Sequence, residues 1–156
     1  MKKYFQTKVK YTIQKEDGTF KKVTNQILIE SDSFTLTEAI VTNELAKVVK
    51  GDFSILEIKR FDINEIYFNQ ELVEELPFFF IVKGKFTTMI EDETPFKEFP
   101  VKFLVQEASV EQATKIIMNN YKGIASFKMT SCVMSPLQDV ILLNEFEANN
   151  STSGQY

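Results

Sequence analysis

Tyr4-Phe5-Gln6-Thr7-Lys8-Val9-Lys10-Tyr11-Thr12 returns as Phe79-Phe80-Ile81-Val82-Lys83-Gly84-Lys85-Phe86-Thr87. The offset of roughly 75 positions recurs further along the chain, and a fixed-offset repeat is the mark of a duplicated structural unit. Gln26-Ile27-Leu28-Ile29-Glu30 matches Lys102-Phe103-Leu104-Val105-Gln106, and Lys59-Arg60-Phe61 matches Val133-Met134-Ser135. In the opening run Phe5, Thr7, Val9, Tyr11 and Ile13 share one parity, while Gln6, Lys8, Lys10 and Thr12 share the other. That period of two describes a half-buried strand.

Working outward, Glu16-Asp17-Gly18 supplies a hairpin turn into a return strand over about 20–30. Thr35 with Glu38 three residues on reads as a capping box. It opens a helix that runs to about Val49 and stops at Gly51, where a left-handed cap is free of strain. A third strand through Phe53–Ile58 and a short fourth over about Glu65–Phe68 complete a ββαββ unit. The second unit repeats the order. Strands over about 78–90 and 97–107 flank a turn at 91–95, a helix lies between the Ser109/Gln112 box and Gly123, and strands follow at 126–133 and 139–143. Pro100 suggests an edge position, because proline cannot donate to a ladder.

The expected fold class is α+β: a tandem duplication of a ββαββ unit with pseudo-two-fold symmetry, each mostly antiparallel sheet covered by a helix. The expected domains are 1–70, an acidic linker 71–77, a second unit 78–146 and a disordered polar tail 147–156. Leu28 and Leu104 are apolar at matched positions on the polar face of strand two. They predict that this second face is covered, by the other unit or by another chain.

Composition excludes several chemistries. There is no histidine, which removes the commonest general base and metal ligand. Cys132 is alone, so neither a disulfide within the chain nor a multi-cysteine metal site is available. Its strand-like surroundings predict a buried, inert thiol. The five glycines are scattered and build no phosphate-cradling loop. No apolar run approaches the roughly 18 residues of a membrane span, and no signal-peptide core follows Met1-Lys2-Lys3, so a cytoplasmic protein is expected. Glu65 and Asp139 match before the last strand of each unit. Such a pair leaves room for a shared Mg²⁺, but no metal or cofactor is assigned, and the simpler reading is a solvated acid at a strand start.

The shared feature that points to binding is basic. Lys8 and Lys10 match Lys83 and Lys85, and Lys21 matches Lys97, with Lys22 and Lys102 extending the patch. Lysine-lined hairpins presented twice can follow a phosphate backbone, and the net charge of −4 still permits a local basic face. Tyr4 and Phe79 share the lysine parity and offer a limited stacking platform. The bland alternative is a solvated strand face whose lysines discourage edge pairing. Phe78 opens the greasiest stretch, Phe78-Phe79-Phe80-Ile81-Val82, which is either a strand buried on both faces or an exposed association surface.

Lys21-Lys22-Val23-Thr24, Ile27-Leu28-Ile29, Ser33-Phe34-Thr35, Glu38-Ala39 and Gly51-Asp52-Phe53 together resemble the domain of unknown function 4494 family. So do Leu104-Val105-Gln106, Ala108-Ser109 and Ala113. That family comprises small proteins of Bacteroides-type bacteria and their phages. The resemblance implies a phage or mobile-element accessory protein and carries over no catalytic residue. The leading expectation is a non-enzymatic module that binds single-stranded nucleic acid. The second is an assembly factor that joins copies of itself, or a phage or host protein, through Leu28, Leu104 and Phe78. The third is a carboxylate-metal enzyme or a protein that sequesters small nucleotides.

Overall fold

The structure is a computed structural model that describes residues 2–69, 71, 78–88, 97–124 and 126–143. The elements are β1 (Tyr4–Gln14), β2 (Phe20–Glu30), α1 (Phe34–Val48), β3 (Phe53–Arg60), β4 (Glu65–Tyr67), β5 (Phe78–Thr88), β6 (Lys97–Glu107), α2 (Val110–Asn120), β7 (Phe127–Ser135) and β8 (Asp139–Ile141). The protein is α+β, with eight strands in two mostly antiparallel sheets and two helices among the described residues. The expected turn at 91–95, the linker apart from Glu71, and the tail 147–156 lie outside those residues. Among the described residues no helix is long and apolar enough to cross a membrane.

The strand order departs from the sequence reading. One sheet runs β3-β1-β2-β8 and the other β4-β6-β5-β7. Each short strand thus closes the sheet built by the other half of the sequence. β8 runs parallel to β2, with Ile27 opposite Asp139, Leu28 opposite Val140 and Ile29 opposite Ile141. β4 runs parallel to β6, with Glu65 opposite Phe103, Ile66 opposite Leu104 and Tyr67 opposite Val105. The compact units are therefore the chain up to Asp62 with the segment from Leu137, and Ile63–Pro136, rather than 1–70 and 78–146.

Chain length explains the exchange. To reach the outer edge of β2 from Arg60, the chain must cross β1 and β2, about 14 Å at the usual strand spacing, and also turn back along the sheet. From Arg60 to Glu65 the chain has five Cα steps, at most about 18 Å when fully extended, which leaves little to pass over two strands and turn back. The connection 136–138 is shorter still. Each short strand instead joins the other sheet, which lies within easier reach of so short a connection.

Each exchanged strand is held at both ends. On entry, the Gln138 backbone N–H donates to the Gln26 carbonyl at 2.9 Å, and the Gln138 side-chain oxygen accepts from the Gln26 N–H at 3.1 Å. Asn64 does the same to Lys102, at 2.8 Å for both bonds. On exit, the Leu143 N–H donates to Glu30 Oε1 at 3.2 Å, and the Asn69 N–H donates to Gln106 Oε1 at 3.3 Å. Glu30 is buried and also meets Lys2 Nζ at 3.5 Å through Oε2.

β1 and β2 pair along their whole length, from Tyr4 opposite Glu30 to Gln14 opposite Phe20. Gly18 (φ 87°) ends the turn, its N–H donating to the Lys15 carbonyl, while Asp17 Oδ1 accepts from the Thr19 N–H and hydroxyl. The three-residue loop 16–18 is thus closed by a left-handed glycine. One of the two helix starts differs from expectation. Ser109 caps α2 as read, accepting from the Gln112 N–H at 3.2 Å. In α1 the cap is Ser33 rather than Thr35, accepting from the Leu36 N–H at 3.0 Å. The earlier start brings Phe34 against Phe5, ring centroids 4.8 Å apart. α1 leaves through an extended Val49, so Gly51 adopts no left-handed conformation, whereas Gly123 does, at φ 86°. Pro100 has a neighbour on one side only, since β4 reaches no further than Phe103.

The helix-facing parity of each sheet forms its core. Val9 and Ile29 pack with Ile40, Val41 and Leu45 of α1; Phe80, Val82, Phe103 and Val105 pack with Ala113 and Ile117 of α2. Leu28 and Leu104, on the opposite parity, are fully buried as well. The Phe78–Val82 run is buried on both parities through Phe79, Phe80 and Val82, while Phe78 stays exposed.

Both central strands meet a β-bulge at the same place. Leu56 falls between the Lys8–Glu57 and Val9–Ile55 pairs, and Thr130 between Lys83–Ser131 and Gly84–Met129. In the second sheet the Phe127 ring lies directly over Gly84. A Cβ there would come within 2.7 Å of Phe127 Cε2 and 3.0 Å of the Lys128 carbonyl. The ring cannot retreat, because it stacks on Tyr121 at 4.7 Å and tilts against Phe86 at 5.2 Å.

Two outcomes follow from this packing. Gly84→Ala should destabilise by about 1–3 kcal/mol in denaturant titration, whereas Gly51→Ala, which enters open space, should stay within about 0.5 kcal/mol of the parent. Val140→Gly should speed amide hydrogen exchange along Gln26–Glu30 while leaving Lys102–Gln106 protected. The reverse pattern would mean that β8 closes the sheet of its own sequence half.

Candidate functional site

The register settles which lysines share a face. In the first sheet Lys8 stands opposite Gln26, Lys10 opposite Thr24 and Thr12 opposite Lys22; across β1, Lys8 meets Glu57 and Gln6 meets Lys59. Lys8, Lys10, Lys22 and Lys59 therefore line the face away from α1, with Glu57 among them and 4.0 Å from Lys59. In the second sheet Lys83 stands opposite Lys102, Lys85 opposite Pro100 and Lys128, and Thr87 opposite Glu98. Lys83, Lys85, Lys102 and Lys128 share the corresponding face, and Lys85 pairs with Glu98 at 3.0 Å. Each face thus carries four lysines on three adjacent strands, with Glu57 and the buried Glu30 on the first and Glu98 on the second. Two ammonium groups directly opposite, as at Lys83 and Lys102, repel.

Other expected site residues do not join them. Lys21 pairs with Ile13 and Lys97 with Thr88, which puts both on the helix-side parity. Tyr4 and Phe79 have the lysine parity but are only 8% and 4% exposed, so neither presents a ring to a ligand. They lie where the strands begin and both faces are covered. The Tyr4 phenol is pushed up by burial and by Glu30 across the ladder. Of the residues read as an interface, Leu28 and Leu104 are interior and Phe78 is exposed.

The exposed ring on the lysine face is Phe20, at 73% exposure, opposite Gln14 at the hairpin tip. Its parity with Lys22 was the signal for it. Lys59 and Lys128 were hidden because each bulge shifts the alternation of β3 and β7 by one residue. Beside the tip a groove of about 500 Å³ opens within the first unit, lined by Tyr11, Ile13, Gln14, Phe20, Val48 and Lys50 among others. Asn25 Nδ2 donates to the Tyr11 hydroxyl at 2.6 Å and fixes that ring.

Three ionisable side chains outside the lysine faces depart from their ordinary values. Burial pushes the Cys132 thiol up, only partly offset by Thr114, which keeps it protonated and a poor nucleophile at neutral pH. Glu65, in the second unit, accepts from the Tyr67 hydroxyl at 2.8 Å, and burial followed by Tyr121 and Glu65 drives the Tyr67 phenol far above its ordinary range. Asp139, in the first unit, is raised by burial and by Glu44, against the Val140 N–H, which donates to its carboxylate at 2.8 Å. Among the described residues no group of three or more histidine, cysteine or acidic side chains is placed to hold a metal ion.

Two helix-covered sheets with exchanged closing strands, each with a face that carries four lysines, define the chain as an α+β protein. The family profile described as Domain of unknown function (DUF4494) matches residues 3–143, and the chain belongs to that family. No curated protein matches it.

Proposed function

We propose that this chain is a tandem duplication of one ββαββ unit with pseudo-two-fold symmetry, and that it binds single-stranded nucleic acid through its two lysine faces. The observation that carries the binding is the grouping of four lysines across three adjacent strands, repeated in both sheets. Supporting the duplication are the shared strand order, the bulges at Leu56 and Thr130, and the amide clamps at Asn64 and Gln138. A basic patch on a chain of net charge −4 concentrates attraction for phosphate locally. The protein acts without catalysis, in the cytoplasm, as an accessory factor of a phage or mobile element. That context rests on the family resemblance alone.

Fluorescence anisotropy with labelled single-stranded DNA and RNA tests the reading. Affinity should fall linearly on a log–log salt plot, with a slope near −0.7 per phosphate neutralised. Changing Lys8, Lys10, Lys83 and Lys85 to Glu should abolish binding. Absence of wild-type binding at about 50 mM salt would overturn it.

One observation favours assembly as a second reading. β7 is the outermost strand of its sheet, and Val133 and Met134 on it are 60% and 53% exposed. The matched positions on β3 carry Lys59 and Arg60, the charges that normally blunt a sheet edge. On this reading β7 pairs with a strand of a second copy. Light scattering should then give a dimer that Met134→Lys converts to monomer; a monomeric parent discards the idea.

A further inference from the structure

We infer that β7 pairs with β7 of a second copy, antiparallel and centred on Val133, so that their four-stranded sheets join as one of eight. This rests on the assembly reading above and names its strand, register and symmetry. Three observations carry it.

The first is that every other sheet edge among the described strands is blunted. β3 carries Glu57, Lys59 and Arg60, and β4 and β8 have three residues each. Where those short strands leave β2 and β6 open, Lys21 and Lys22 or Pro100 interrupt the edge. Charges, prolines and short strands are the usual means by which an edge avoids pairing. β7 is nine residues long. Its first half carries Lys128 and the bulge at Thr130, but Ser131-Cys132-Val133-Met134-Ser135 has no charge, proline or bulge. The complement of an unprotected edge is another unprotected edge, and in this chain that is β7 itself.

The second is the direction of the backbone. The Thr87 N–H donates to the Ser126 carbonyl at 3.0 Å, and the Thr130 hydroxyl donates to the Lys83 carbonyl at 3.1 Å. Alternation along β5 then turns the peptide groups of Ile81 and Phe79 toward β7 as well. Val133 and Ser135, opposite them, bond inward. Cys132 and Met134, opposite Val82 and Phe80, aim their N–H and C=O groups away from the sheet, where no described strand meets them. A two-fold axis through Val133 sets Cys132 of each copy against Met134 of the other, and each of these pairs exchanges both its backbone bonds.

The third is the side chains. Val133 and Met134 are exposed, as is Val110, whose carbonyl lies 4.0 Å from Cys132 Sγ. The pairing covers Val133 with its own counterpart and Met134 with Cys132. The same axis through Lys59, the matched residue of β3, would set ammonium against ammonium, which repels. Side chains paired across an antiparallel ladder take the same side of the sheet, so the lysine face of one copy runs on into that of the other.

Cysteine cross-linking tests the register, in a Cys132→Ser background with oxidised glutathione. Non-hydrogen-bonded antiparallel partners have Cα atoms about 4.5 Å apart, within the span that a disulfide bridges. Val133→Cys, at an exposed position, should therefore give a covalent dimer of twice the monomer mass. Ser131→Cys should not, because residue 131 faces Ser135 of the second copy and lies about 13 Å from its own counterpart. Val48→Cys, exposed in the first unit, reports random collision and should stay monomeric. Cross-linking of Ser131→Cys or Val48→Cys that matches Val133→Cys would overturn the inference. So would a Cys132→Ser parent that is dimeric by light scattering yet yields no Val133→Cys dimer, which leaves the assembly reading standing through another contact. A monomeric wild type removes both.

Discussion

The outer edges of β2 and β6 are the constraint on which this structure depends. Leu28 and Leu104, on the parity away from the helices, are fully buried. The backbone beside them therefore cannot rely on water for its hydrogen bonds, and buried amides left without partners are costly. Three-residue strands supply those bonds. Strands so short carry little stability of their own, which is why both ends are held by side chains: Gln138 and Asn64 on entry, Glu30 and Gln106 on exit. Each such bond is worth about 0.5–1.5 kcal/mol, a useful increment for an element with only three residues to bury.

Much of this was legible in the sequence. Period-two alternation placed β1, β2, β5 and β6, Asp17-Gly18 placed the turn, and Ser109 placed the start of α2. The partner of each fourth strand was not legible from pattern. Ile66 and Val140 look equally apolar whichever sheet they join, and only the reach of 61–64 and 136–138 decides. The cap of α1 was missed because Thr35/Glu38 satisfies the local pattern, while the Phe34–Phe5 contact that sets the true start joins residues far apart in sequence.

The candidate site followed the same division. Lys8, Lys10, Lys83 and Lys85 were readable from parity, because each pair lies two residues apart on one strand. Lys59 and Lys128 were not, since a single bulged residue inverts the parity of everything beyond it. Tyr4 and Phe79 failed for another reason. Parity says which side of a sheet a residue takes, but not whether that side is covered, and theirs is. Phe20 has the same parity at the other end of the hairpin, where it remains exposed.

The exchange of closing strands has a consequence for ancestry. Under the proposed duplication, a lone ancestral unit faced the same short connection after its third strand, which disfavours closing its own sheet. Its closing strand would have been available to a neighbouring copy, which is the situation of a domain-swapped dimer. Fusing two such copies in one chain turns a bimolecular equilibrium into an intramolecular one, with the missing strand supplied at high effective concentration. Foldedness then no longer depends on how much of the protein a cell makes.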